Sequence, residues 1–169
     1  MSDFFLSQVL VAVTLIIECG AMQLKHKHHV LIFLAISCLF NSAHFFLLDQ
    51  PTAGYIFLVS SVRFLICIRW RAPQLFVIFL SISFILTVVT YTSYLSALGF
   101  LATVLMTAGS FSNSDRRMRL LMAGGGGVWI IHNILLWTPV GILLELVFVT
   151  SGLIGYYRHY IRTELNNNN

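Results

Sequence analysis

The stretch His44–Pro51, "HFFLLDQP", returns 88 residues later as "HNILLWTP", His132–Pro139. Each copy opens on a histidine, carries two adjacent leucines at the same places and stops at a proline. Proline has no backbone N–H and favours turns and helix starts, so both copies read as the end of one helix and the start of the next. The same shift sets the basic loop Lys25–His29 on Asn113–Arg117, and a one-residue adjustment sets "FLS" at 5–7 on "YLS" at 94–96. The chain therefore reads as a duplicated unit, and its solvent decides what kind.

That solvent is lipid. Of 169 residues 58% are hydrophobic and only 9% charged, with a mean hydropathy of +0.87; a soluble domain carries about 25% charged residues. Seven apolar stretches are legible, at 4–22, 30–48, 53–68, 74–92, 94–110, 119–137 and 140–158. Most approach the roughly 20 residues that a helix needs to cross a bilayer. Helices are expected throughout, because open strands leave backbone groups unpaired in lipid. The start, "MSDFFLSQVL", has no basic n-region and reads as a retained first span.

Charge placement tests the count. With seven crossings, the side of the N-terminus receives Met1–Asp3, "DQP", "TS" and "WTP", without one Lys or Arg. The opposite side receives Lys25, Lys27, Arg69, Arg71, Arg116, Arg117, Arg119, Arg158 and Arg162, leaving only Arg63 inside a span. The positive-inside rule then puts the N-terminus out and the C-terminus in. The basic residues thus have a topological explanation, and nucleic acid is not an expected partner. "KHKHH" (Lys25–His29) reads as a cytoplasmic anchor rather than a metal tract. The three cysteines, Cys19, Cys38 and Cys67, lie in apolar runs and read as packing residues, not a disulfide framework.

The expected fold is an all-α integral membrane protein of seven transmembrane helices arranged 3+1+3. Residues 1–71 form the first three-helix repeat, 72–93 a linker helix, 94–160 the second repeat and 161–169 a disordered tail. Three crossings reverse direction, so the linker restores parallel repeats about an axis along the membrane normal.

This layout resembles the SWEET sugar transporters and the wider PQ-loop superfamily. In detail the chain is more similar to the bacterial inner-membrane proteins of the YgjV family. The residues that carry this are "HFFLL" (44–48), Ala53, Gly54, Val62 and Arg63, "WIIHN" (129–133), and Glu145 followed by a basic end. The resemblance implies an inner-membrane address and a topology rather than a chemistry. The chain departs from the family pattern at Ser60, often Asn before the span-three arginine, and from the PQ-loop pattern in having no proline within a span.

Charges at membrane depth cost about 2.5–3.5 kcal/mol each and mark candidate sites. Glu18 and Arg63 sit about 8 and 9 Å above the inner ends of their spans, so a structural Glu18–Arg63 ion pair is expected, the alternative being an arginine that snorkels. Toward the outer side, Asn41, His44, Trp129, His132, Asn133 and Glu145 are expected to converge as a substrate or proton site. The histidines lie about 7–9 Å below the outer ends, and histidine titrates near physiological pH. Interhelical hydrogen bonding is the competing reading. No metal or cofactor is expected, and no catalytic constellation stands at the lipid–water boundary, so the chain is not expected to be an enzyme.

Gly124, Gly125, Gly126 and Gly127 lack the Lys-Ser/Thr ending of a phosphate loop. They read as a hinge or as close helix packing. A transporter or facilitator of a small polar solute follows, with proton coupling as an option; the alternative is a membrane scaffold, subunit or sensor. Its partners are the lipid bilayer and that solute, and homo-oligomers are compatible with it.

Overall fold

The computed structural model describes residues 2–22, 24 and 27–161. Lys25, Arg162 and the tail from 162 onward lie outside them. Seven α-helices follow one another: α1 (Asp3–Met22), α2 (Lys27–Leu47), α3 (Pro51–Cys67), α4 (Pro73–Val89), α5 (Tyr94–Phe111), α6 (Asp115–Leu135) and α7 (Pro139–Tyr156), the last running into a π-helical turn at Tyr157–Ile161. No strand occurs among the described residues. By length and composition α1, α2, α5 and α7 can cross a membrane, and α3 and α4 are apolar at 17 residues each. α6 has 21 residues but opens on Asp115, Arg116 and Arg117.

The boundaries follow from local chemistry. Pro51, Pro73 and Pro139 do not sit in loops but open α3, α4 and α7, where a missing N–H costs nothing. Ser114 caps α6 by accepting from the Arg117 N–H at 3.4 Å, so the helix begins earlier than the apolar run at 119 suggests.

The two repeated turns share their capping bonds. Asp49 and Trp137 are the only described non-glycine residues with positive φ, 54° and 56°. The Gln50 N–H donates to Phe45 O at 2.9 Å and the Asp49 N–H to Phe46 O at 3.2 Å. Their counterparts 88 residues on, Thr138 and Trp137, donate to Asn133 O and Ile134 O, both at 3.1 Å. Both are Schellman caps, which satisfy the last carbonyls of a helix at the expense of one left-handed residue.

Packing closes six helices into a ring: α1 touches α2, α2 touches α3, α3 touches α5, α5 touches α6, α6 touches α7, and α7 touches α1. α4 leans on α3 and α5 from outside, through one stripe of Phe79, Ser83 and Thr87. Exchanging α1–α3 for α5–α7 maps every neighbouring pair of the ring onto another. The junctions between the halves correspond too. At the start of α3, the Thr52 hydroxyl bonds Ser96 of α5 at 3.0 Å; at the start of α7, the Val140 N–H donates to Gln8 Oε1 of α1 at 3.3 Å.

The polar side chains turn inward. Ser7, Thr14, Asn41, His44, Arg63, Thr107, His132 and Asn133 are buried, whereas Ile16, Val77, Ile85, Val88 and Val89 are exposed. A soluble protein hides such apolar surface; a multi-pass membrane protein presents it to lipid.

Candidate functional site

At the end of the ring marked by the two Schellman turns, aromatic side chains meet across the axis. Phe45 of α2 lies 5.4 Å from both Phe57 of α3 and Trp129 of α6, ring centre to ring centre. Trp129 closes the cluster at 4.9 Å from Phe57. His132 stands edge-on to Phe45 at 5.4 Å and to Trp129 at 4.9 Å; His44 packs edge-on to Phe45 at 4.8 Å. The two imidazoles thus flank one phenyl ring, and α2 and α6, opposite each other in the ring, meet here through Phe45, Trp129 and His132.

Each histidine keeps an unpaired nitrogen. His44 donates through Nδ1–H to the Ser7 carbonyl oxygen of α1 at 2.9 Å, while its Nε2 has no partner. The Nδ1 of His132 and the Oδ1 of Asn133 are also buried without partners. Asn41, one turn below His44 on α2, is buried as well. Of the tier expected from the sequence, the structure brings together His44, Trp129 and His132, with Phe45 and Phe57 filling the middle, whereas the Asn133 amide turns to α7, where a Cβ on Gly141 would stand 3.0 Å from its Oδ1.

Glu145 does not join it. Its carboxylate lies beside Gly126: a Cβ placed on that glycine would stand 3.3 Å from Glu145 Oε2. Gly126 precedes His132 by six residues on α6, about 9 Å along the axis. The reason for the mismatch is helix length. α6 stops at Leu135 because Trp137 turns left-handed, so His132 ends nearer its helix end than the apolar run to 137 implies. Glu145, six residues into α7, hangs lower.

What Glu145 does meet is a cavity of about 30 Å³, lined by Glu18, Ser37, Cys38, Phe64, Met106 and Met122 together with Leu34, Glu145 and Phe148. Every helix of the ring contributes and α4 does not. The Ser37 hydroxyl donates to Glu18 Oε1 at 2.8 Å. Glu145, only 5% exposed, takes no hydrogen bond from the described chain. Two carboxylates thus share one small interior space, room for one or two waters.

The expected Glu18–Arg63 ion pair is not what the structure brings together. Arg63, 1% exposed, donates through Nη1 to the Thr107 hydroxyl of α5 and lies 4.8 Å over the Phe64 ring, with Nε unpaired. The two charges face different neighbours: Glu18 looks to α2 and Arg63 across the α3–α5 junction.

The glycine run lies in unbroken α6. Gly125 faces α5, where a Cβ would stand 2.6 Å from Met106 Cγ and 3.2 Å from the Ala102 carbonyl oxygen. Gly126 faces α7, where a Cβ would stand 2.6 Å from Val149 Cγ2. Gly124 touches only Leu105, and Gly127 has nothing within 4 Å. Packing on two sides of α6 accounts for two of the four.

Sequence reading missed Phe45, Phe57, Ser37, Cys38, Met106, Met122 and Thr107. In a chain this apolar, another Phe or Met carries no contrast. The repeat gave the one usable signal for Ser37 and Cys38, which stand 88 residues before Gly125 and Gly126.

A family model, Imp-YgjV, described as a bacterial inner membrane protein, matches residues 5–163. No curated protein and no solved structure gives a match.

Proposed function

The chain belongs to the Imp-YgjV family of bacterial inner membrane proteins, and from that address we propose that it passes a small polar solute between the two halves of its helix ring. It is a multi-pass protein of the inner membrane. In the proposed arrangement all seven helices cross, N-terminus out and C-terminus in, as two parallel three-helix units joined by α4. The matched Schellman turns, the exchangeable neighbours of the ring and the segregation of basic residues to one side support that arrangement.

One observation carries the functional reading: a cavity on the ring axis, lined by all six ring helices, into which an unpartnered carboxylate is turned. An ionisable group buried at membrane depth without a partner is expensive and is kept where ions or polar solutes pass. Passage rather than catalysis is proposed because these groups lie in the ring interior, away from the aqueous boundary. At about 30 Å³ the cavity admits water but no solute. The form described is therefore closed, stoppered on the Schellman side by Phe45, Phe57 and Trp129. Opening requires the halves to part, and the glycine turn of α6, beside the cavity, is the proposed point of bending.

The same small volume is what favours the second reading, a non-transporting scaffold or sensor whose interior never opens. Flux measurements on proteoliposomes separate the two. Sugars, amino acids, nucleobases and organic acids are to be offered with and without a pH gradient. Uptake above protein-free vesicles for one class supports passage; background rates for every class favour the scaffold.

A further inference from the structure

We propose that Glu18 and Glu145 hold one exchangeable proton between them, carried on Glu145, so that the cavity is a proton site. The proposal rests on the passage reading and deepens it by naming the coupling ion.

The geometry distinguishes the two carboxyls. Glu18 Oε1 lies 2.8 Å from the Ser37 hydroxyl, whose one proton it shares with the Leu34 carbonyl oxygen at 2.9 Å, and that donor supports a negative charge on Glu18. Glu145 faces the same cavity, is nine-tenths buried and has no donor. Among the described residues no cation pairs with them: neither forms an ion pair with Arg63, whose Nη1 donates to Thr107. The groups around the site come from every ring helix. They are Glu18 of α1, the Cys38 thiol of α2, Arg63 of α3 at the edge of the cluster, and Glu145 of α7; α5 and α6 present only the thioethers of Met106 and Met122. The histidines of the aromatic plug do not line the cavity: His44 stands six residues beyond Cys38 on α2 and His132 six beyond Gly126 on α6, about 9 Å along each axis.

A metal ion fits the same space poorly. No three His, Cys, Asp or Glu side chains converge to hold one among the described residues, and hard cations need six or more oxygens or retained waters. A proton needs one oxygen. In release, the O–H bond of the Glu145 carboxyl breaks and the proton passes to water in the cavity, leaving two carboxylates; uptake reverses this.

Infrared spectroscopy of the full chain in lipid nanodiscs tests the site without any solute. At neutral pH the wild type is expected to show the C=O stretch of one protonated carboxylic acid per chain, shifting in D₂O and lost on strong alkalinisation. Glu145→Gln removes the band and Glu18→Gln keeps it. No such band in the wild type, a band that ignores D₂O, or one that survives in Glu145→Gln overturns the proposal. Should Glu145→Gln fail to fold, the wild-type band and its D₂O shift, with ¹³C-labelled glutamate to identify the carboxyl, still decide. A band without solute flux leaves the proton site standing and sinks the passage reading; flux without a band does the reverse.

Discussion

Replacing the four glycines of α6 by alanine one at a time separates packing from backbone flexibility. Each Gly→Ala change in a helix gains about 1 kcal/mol of propensity. At Gly127, with nothing within 4 Å, and at Gly124, whose nearest neighbour is Leu105 Cδ1 at 3.7 Å, that gain stands alone. At Gly126 the added methyl meets Val149 Cγ2 at 2.6 Å and Phe148 Cδ1 and Glu145 Oε2 at 3.3 Å, so α7 must shift. Overpacking of this kind costs about 1–3 kcal/mol, leaving a net loss of up to about 2 kcal/mol after the propensity gain. For a chain of this size 1 kcal/mol moves the unfolding midpoint by about 2–4 °C. Thermal unfolding in nanodiscs is thus expected to rank Gly127→Ala and Gly124→Ala above the wild type and Gly126→Ala below it. Adding Val149→Ala to Gly126→Ala makes room and recovers part of the loss, a coupling of about 0.5–3 kcal/mol. Equal shifts at all four positions, or no coupling to Val149, refute the reasoning, because the α6–α7 approach then does not constrain Gly126.

Other consequences follow from the same contacts. Glycine at Asp49 or Trp137 relieves a left-handed residue and is expected to raise the unfolding midpoint, by about 1 kcal/mol each; unchanged midpoints contradict the two Schellman caps. Thr107→Val strips the Arg63 guanidinium of its hydrogen-bond acceptor and is expected to cost about 1–3 kcal/mol. Arg63→Met on top of Thr107→Val should restore much of it, and additive losses argue against the contact. Alanine at all four glycines together is expected to slow solute flux in proteoliposomes while the circular dichroism spectrum stays helical; undiminished flux removes the bending role.

The two matched turns are legible because His44 and His132, Pro51 and Pro139 repeat together, and the proposed sidedness is legible because the arginines sort to one side if all seven helices cross. Those signals survive in an apolar chain, since polar residues and prolines are rare enough to align. Glu145 lies off the level that the sequence implies because the ends of apolar runs are not the ends of helices: the run at 119–137 outlasts α6 by two residues. The Glu18–Arg63 pairing failed differently. Rise per residue fixes level, but the direction a side chain takes depends on which helices are neighbours, and α1 meets α2 and α7 rather than the face of α3 bearing Arg63. Hydrophobic periodicity cannot supply that order when lipid-facing and buried faces are equally apolar. The aromatic plug was invisible on the same grounds.

Cys38 offers the most direct test of whether the ring opens. Its thiol lines the cavity and is 5% exposed, and Cys19 and Cys67 can be replaced by serine to leave it alone. In intact proteoliposomes a small, charged, membrane-impermeant thiosulfonate should modify Cys38 slowly but to completion, faster when a transported solute is present. Cys38 that stays unmodified in the membrane, yet reacts at once after denaturation, would contradict passage through the ring.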